Sequence, residues 1–313
     1  MMKATAFHCS AHLSDTELLP VERACPFCNS EARLAVASLQ VNPSVDLMRC
    51  ERCGATSASR MPRPQTLERY YGNYYEEQAE QVTFDRPERL ASHIVRNALG
   101  SLGALGDRDL MIVDFGGGDG THSVLAARQL LERGARSVRI GLIDHNQTTV
   151  AVDDARIEVV RATDLAEIPL GAADIVLASA IIEHIPHPRE ILAKLFAALR
   201  PGGVFYARTP YVLPLMKLAR AAHVNLDFTY PGHVHDLGAR FWNGVAEHLD
   251  LGVPIQIIRS TPSIVETTFD RHFARTLAAY VLKAPSRVFK EHYGLVGGWE
   301  VFIRRTPAEA AGN

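Results

Sequence analysis

The stretch LMIVDFGGGDG, residues 110–120, decides the fold class. An apolar run that ends in a glycine-rich turn, with a helical pattern directly after it, is typical of the first strand, turn and helix of a ligand-binding α/β domain. Glycines there let the backbone turn sharply and approach a ligand closely. The segment therefore predicts a parallel sheet wrapped by helices, with a ligand at the carboxyl ends of its strands.

Short apolar runs continue outward from this stretch and alternate with helical segments. Between the runs we expect helices over 121–133 and 189–199, and long insertions at 209–250 and 261–296 precede the last two runs. The predicted strands are 110–115, 137–144, 157–162, 173–179, 202–208, 255–260 and 298–305. The pattern predicts a Rossmann-like sheet of seven strands.

Acidic side chains stand at the ends of the first three runs. Asp114 precedes the first glycine, where a carboxylate suits the ammonium of S-adenosylmethionine (SAM) and would repel the pyrophosphate of a dinucleotide. Asp144 ends the second run, where it can accept two ribose hydroxyls or cap a helix. Asp164 follows the third run and could accept the adenine amino group. The predicted cofactor is therefore SAM.

Further motifs follow in order. The fourth run leads from Ser179 into Glu183-His184-Ile185-Pro186, and Leu199-Arg200-Pro201-Gly202-Gly203 precedes the fifth. Together with D-x-G-x-G-x-G and the two later acids, these motifs resemble the class I SAM-dependent methyltransferases. The resemblance implies an antiparallel seventh strand. It assigns cofactor binding to Asp114, Gly116, Gly118, Gly120, Asp144, Asp164 and Ser179.

Two C-x-x-C pairs, Cys25/Cys28 and Cys50/Cys53, lie before this domain. Two such knuckles complete a tetrahedral thiolate site, so we predict one structural Zn²⁺ in a small ribbon. A free-thiol or redox role is the alternative. Cys9 has no evident partner and falls in a predicted loose arm, although it could form a second metal site with His8 and His12.

The domain prediction follows from these features. We expect an N-terminal arm over 1–24, the zinc ribbon over 25–60, a linker and helical lid segment over 61–108, and the methyltransferase domain over 109–305. The lid segment carries Tyr70, Tyr71, Tyr74 and Tyr75, which pair at a spacing of four on a helix and suit an aromatic packing face. A ribbon, a tyrosine segment and a SAM domain together resemble a bacterial subgroup that includes sugar C-methyltransferases.

Histidine is the side chain best suited to take a proton near neutral pH. His184 follows the fourth strand, beside the expected methyl position, and His187 lies in the same loop. His233 and His235, two residues apart in an extended segment, are expected to face the same way. We name His184, His233 and His235 as candidate catalytic residues. Loop packing and a second metal site are the alternatives.

The composition of the chain narrows the classes of binding partner that we expect. The formal net charge of −2 is unlike that of most nucleic-acid or anionic-membrane binders, although it does not exclude a local basic patch. With neither an apolar run long enough to span a membrane nor a convincing secretory signal, we expect a cytoplasmic protein. The predicted function is methylation of a small molecule on oxygen or carbon, such as a sugar nucleotide, polysaccharide or secondary metabolite. RNA methylation and a non-catalytic SAM-binding scaffold are the alternatives.

Overall fold

The computed structural model describes residues 12–77, 84–221 and 228–307, and the chain folds around two sheets of four and seven strands. The strands are β1 (Arg33–Gln40), β2 (Val45–Cys50), β3 (Thr56–Ala58), β4 (Asp109–Phe115), β5 (Ser137–Ile143), β6 (Ile157–Ala162), β7 (Ala173–Ser179), β8 (Leu199–Tyr211), β9 (His235–Asp236), β10 (Ile255–Pro262) and β11 (Gly297–Arg305). The helices are α1 (Pro64–Glu77), α2 (Pro87–Leu102), α3 (Thr121–Glu132), α4 (Arg189–Ala198), α5 (Leu213–Ala221), α6 (Ala239–Asn243), α7 (Val245–His248), α8 (Phe273–Lys283) and α9 (Ser286–Phe289).

The seven-stranded sheet has the order β10-β11-β8-β7-β4-β5-β6. The pairs β4–β5, β4–β7, β5–β6 and β7–β8 are parallel, and β11 runs antiparallel to both of its neighbours. The predicted Rossmann-like α/β sheet and its antiparallel last strand are thus confirmed. The central strand β7 is buried along Ala173–Ala178, which explains its continuous apolar sequence.

The four-stranded sheet has the order β1-β2-β3-β9, with every pair antiparallel. Strand β9 comes from the insertion after β8, and it pairs Asp236 with Thr56 and His235 with Ser57. The cysteine-bearing segment is therefore joined by hydrogen bonds to the large domain. The divisions at residues 24, 60 and 108 stay predictions.

Residues 12–24 differ from the loose arm that the sequence predicts. Leu13 and Leu18 are buried beside Leu47 and Met61, and Arg60 forms an ion pair with Asp15. An extended segment anchored by single apolar residues has no periodicity, so the pattern did not reveal its packing. Cys9 and His8 lie outside the described residues.

Candidate functional site

The glycine turn after β4 is built for close approach. Gly116, Gly118 and Gly120 have φ of +71°, +61° and +84°, a region that L-residues seldom occupy. A Cβ added at Gly116 would lie 2.5 Å from the Ile181 side chain, and one at Gly117 would lie 2.3 Å from the Asp114 carboxylate. The sequence therefore needs glycine here both for the turn and for the packing of its neighbours.

Asp114 lies under this turn, and only 3% of its surface is exposed. Its Oδ2 has no hydrogen-bond partner among the described residues. Burial raises the pKa of Asp114 to about 6, and a hydrogen bond with Ser123 offsets part of that rise. A buried carboxylate oxygen without a partner costs free energy, and a cationic ligand group would offset that cost.

Asp144 connects the end of β5 to the glycine turn. Its Oδ2 accepts the Gly118 N–H at 2.8 Å, and its Oδ1 accepts the Asn146 N–H at 2.7 Å. A carboxylate has about four acceptor positions, so both oxygens can still accept ligand hydroxyls. The structure thus brings Asp114, Gly118 and Asp144 together at the carboxyl edge of the sheet.

The remaining predicted cofactor residues sit at the same edge with different surroundings. Asp164 is exposed, and its side chain accepts the Ala166 N–H at 2.7 Å, which caps a short 3₁₀ turn. Ser179 is the last residue of β7, and Ala180 after it has a φ of +57°. Asp164 therefore has one oxygen committed to its own turn, whereas the strand end at Ser179 borders the glycine turn through Ile181.

His184 ends a 3₁₀ turn, Ile182–His184, that follows β7. Its Nδ1 lies 2.9 Å from the Gly232 carbonyl oxygen and 2.8 Å from the Tyr71 hydroxyl. Because a carbonyl oxygen can only accept, Nδ1 carries the proton and Nε2 keeps its lone pair. Burial lowers the pKa of His184 to about 4, so the ring is neutral at pH 7. His184 therefore presents Nε2 as a proton acceptor.

Glu183 and His233 lie close to His184. One ligand atom from each of the three side chains lies within 4.8 Å of the others, and the His184 and His233 ring centroids are 4.8 Å apart. Burial raises the pKa of Glu183 to about 8, so its carboxyl is largely protonated at pH 7. Its Oε2 has no partner among the residues described. The loop thus gathers a neutral acid and two imidazoles at one point.

His235 does not share this environment, although the sequence predicts that it faces the same way as His233. Its Nδ1 lies 2.9 Å from the Ser57 hydroxyl, its Nε2 donates to the Ile185 carbonyl at 2.8 Å, and its ring packs on Phe27. The side chain is fully buried. With both ring nitrogens bonded to protein, His235 links the small sheet to the His184 loop.

The four cysteines of the two C-x-x-C pairs lie together near His235. Cys25 Sγ and Cys53 Sγ are 3.7 Å apart, Cys28 Sγ and Cys50 Sγ are 3.6 Å apart, and all four sulfurs lie within 4.8 Å of one another. A Zn–S bond of about 2.3 Å places tetrahedral sulfurs about 3.8 Å apart, so the donor set fits Zn²⁺. All four side chains are buried and none forms a disulfide.

Comparison with known proteins shows which family the chain matches. The family described as "Methyltransferase domain" matches residues 75–253, more than half of the chain. The chain belongs to this family. Its methyltransferase domain thus includes the glycine turn, both strand-end acids and the His184 and His233 segments.

Two relatives have been matched to parts of this methyltransferase. A ubiquinone biosynthesis O-methyltransferase of Paramagnetospirillum magneticum is 32% identical over 105 residues, covering 32% of this chain and 40% of that protein. A protein of Mycolicibacterium smegmatis, named as a probable SAM-dependent methyltransferase, is 41% identical over 75 residues, covering 23% and 29%. The chain thus spans less than half the length of these curated relatives.

Solved structures of low sequence identity resemble the methyltransferase as well. The crystal structure of a SAM-dependent methyltransferase from Mesorhizobium loti has a TM-score of 0.42 and 19% identity. The match covers 68% of this chain and 96% of that one.

Two residues of the site were missed by the sequence prediction. Tyr71 stood in a tyrosine segment, but nothing in the pattern showed that its hydroxyl meets a histidine 113 positions later. Glu183 belongs to the motif after the fourth strand, and the motif alone indicates no role for its side chain. The isolated acid in an apolar turn was a usable signal, because a buried carboxyl without a charge partner is costly and often functional.

Proposed function

We propose that this protein transfers a methyl group from SAM to a small molecule. The observation that carries the proposal is the Asp114 carboxylate, which is buried under a glycine turn and has one oxygen without a partner among the described residues. The amino-acid end of SAM is cationic at its ammonium, and the site supplies the matching charge. The family match supports the same reaction.

The proposed cofactor residues divide by role. Asp114 would face the ammonium, and Gly116, Gly118 and Gly120 would pass under the methionine part. Asp144 would accept the ribose hydroxyls, Asp164 the adenine amino group, and Ser179 would line the cleft. The glycines fit because Gly116, Gly118 and Gly120 all have positive φ, and a Cβ at Gly116 would collide with the Ile181 side chain.

The chemistry requires alignment and, for a hydroxyl acceptor, a base. When bound, SAM supplies an electrophilic methyl group on a sulfonium. We propose that Nε2 of His184 takes the acceptor's proton, while Tyr71 and the Gly232 carbonyl hold the Nδ1–H side of the ring. His233 would contact the acceptor from the neighbouring loop.

We further propose that Cys25, Cys28, Cys50 and Cys53 hold one structural Zn²⁺. With four thiolates filling a tetrahedral site, no position stays open for substrate. Zinc would instead stabilise the small sheet, and through the Ser57–His235–Ile185 contacts it would hold the His184 loop in place.

Methyl transfer is tested directly with methyl-labelled SAM and a panel of acceptors from three groups: sugar nucleotides, phenols and small RNAs. We expect label in a small molecule and release of S-adenosylhomocysteine. Label in RNA alone would replace the proposed acceptor class. Tight SAM binding with no turnover on any acceptor would favour a non-catalytic SAM-binding protein.

A further inference from the structure

Helix α8 lies in the insertion between β10 and β11, and its polarity is inverted. The side that contacts the protein body is polar: Thr276 is buried with its hydroxyl 2.8 Å from that of Thr267, and Lys283 donates to the Ser263 carbonyl at 2.6 Å. A surface helix of a globular protein normally turns its apolar stripe inward. Here the helix is held by these hydrogen bonds and by contacts of the Phe273 and Tyr280 rings with Phe269, which is itself half-exposed.

The outward side of α8 is apolar. Phe273, Leu277 and Val281 are 64%, 46% and 62% exposed, and Tyr280 is exposed beside them. Spacings of four, seven and eight residues put these side chains on one continuous stripe. Val288 and Phe289 of α9 extend the exposed apolar surface. We call these six side chains the α8–α9 face.

Charges around the α8–α9 face are mainly basic. The exposed cations over residues 269–292 are Arg271, Arg275, Arg287 and Lys290. The acids of that segment are Asp270, which is paired with Arg86 at 2.5 Å, and Glu291. An exposed apolar stripe in a segment with an excess of exposed cations carries the two features that bind a helix in the plane of an anionic lipid surface.

A second copy of the chain fits this face less well. A two-fold dimer uses the same patch of both subunits, so the basic side chains of two copies would be gathered in one interface. Self-association would bury the apolar stripe but bring like charges together. An anionic lipid headgroup layer neutralises them while its acyl boundary accepts the stripe.

We propose that the α8–α9 face docks on an anionic lipid bilayer as an interfacial helix. None of the described helices is long and apolar enough to cross a membrane, so the contact is superficial. The formal charge of the whole chain, −2, gives no sign of this surface, because the local excess of cations is averaged out over 33 basic and 35 acidic residues. The proposal stands independently of the methyl acceptor.

Vesicle co-sedimentation of the full chain tests it. Phosphatidylcholine vesicles with roughly one-third phosphatidylglycerol should bind the protein, and pure phosphatidylcholine should not. Raising the salt from about 0.1 M to 1 M, which shortens the Debye length from about 10 Å to 3 Å, should release much of it.

Paired variants separate the two contributions. Arg271→Gln with Arg287→Gln should weaken binding to the anionic vesicles roughly 25-fold, at about fivefold per cation. Leu277→Gln with Val281→Gln should weaken it at least roughly tenfold. Lys194→Gln and Leu170→Gln, which alter exposed residues outside this insertion, should leave binding unchanged.

All four sets substitute exposed side chains, so an unchanged melting temperature should accompany them. Equal binding to neutral and anionic vesicles would overturn the proposal. So would failure to sediment with either kind. A concentration-dependent dimer that Leu277→Gln with Val281→Gln abolishes, in a protein that ignores vesicles, would assign the face to a second copy instead.

Discussion

The Tyr71 hydroxyl lies 2.8 Å from Nδ1 of His184, joining the helix after the small sheet to the loop after β7. The same hydroxyl donates to the Gly232 carbonyl at 3.1 Å. The two contacts leave the imidazole one orientation, with Nε2 directed away from the tyrosine. The residues that we propose to bind substrate and accept a proton thus lie where three distant chain segments converge.

Removing only that hydroxyl should weaken the reaction without disturbing the cofactor. For Tyr71→Phe we expect kcat to fall roughly five- to tenfold, because one hydrogen bond of about 1 kcal/mol no longer orients His184. SAM affinity should stay the same. Tyr293→Phe, in the insertion before β11, is the matched control. Equal kcat for Tyr71→Phe and the unsubstituted protein would show that the contact has no role in turnover.

Removing the imidazole should have a larger effect. His184→Ala should lower kcat by roughly 10²- to 10⁴-fold on a hydroxyl acceptor, the range typical of a general base. His187→Ala is the control, since His187 lies in the same loop with its side chain exposed and paired to Glu22. Unchanged turnover in His184→Ala would exclude the base role.

The pH dependence of turnover should be that of a base with a low pKa. Because burial lowers the pKa of His184 to about 4, the ring stays neutral from pH 8 down to well below 6. On that basis kcat at saturating SAM, where the bound cofactor would pair with Asp114, should show no acid limb at the ordinary histidine value near 6.5. A limb at pH 6.5 that His184→Ala removes would contradict the burial described for this side chain.

Stability should depend on pH through His235. Burial lowers its pKa from 6.5 to about 3, so its contribution is fully present above pH 6.5 and is lost as pH falls towards 3. The unfolded chain takes up a proton there that the folded chain does not. Between pH 7.5 and pH 5 the protein should lose ~2 kcal/mol more unfolding free energy than His235→Gln does. Denaturant titrations at the two pH values measure the free energy of unfolding of both proteins. Equal losses in the two proteins would refute the lowered pKa of His235.

Removal of the metal should lower turnover more than it weakens SAM binding. We expect one Zn²⁺ per chain by elemental analysis, retained in Cys9→Ser and lost in Cys53→Ser. Loss should lower the melting temperature and kcat, because the Ser57–His235 contact loses its support. SAM affinity should change little, since Asp114 and Asp144 lie at the other sheet. Full activity in metal-free Cys53→Ser would contradict the role of the ribbon.

The large sheet was predictable because each strand is a local pattern. The run at 157–162 became β6 and the run at 173–179 became β7, with the same bounds. Apolar side chains on both faces leave a continuous signal, and the acids at the strand ends mark the carboxyl edge. Helix α2 begins at Pro87, and the nearby Asp85 carboxylate accepts the Thr268 N–H, a contact across 183 positions that no local pattern indicates.

The surroundings of His184, His233 and His235 were less predictable, because their contacts join segments that are distant in sequence. Strand β9 has two residues and pairs with Thr56 and Ser57, which no local pattern reports. That pairing buries His235 and separates it from His233. Tyr71 meets His184 across 113 positions for the same reason. Where a side chain's role depends on which segments meet, a single sequence gives the candidate residues but not their arrangement.

Calorimetry of SAM binding is the decisive measurement. We expect the protein to bind SAM, and Asp144→Asn to weaken binding at least roughly tenfold by removing a charge-assisted acceptor. Asp153→Asn, which alters an exposed acid paired with Arg128, should bind SAM as the unsubstituted protein does. Absence of SAM binding by the folded protein, or equal affinity in Asp144→Asn, would contradict the proposed SAM site.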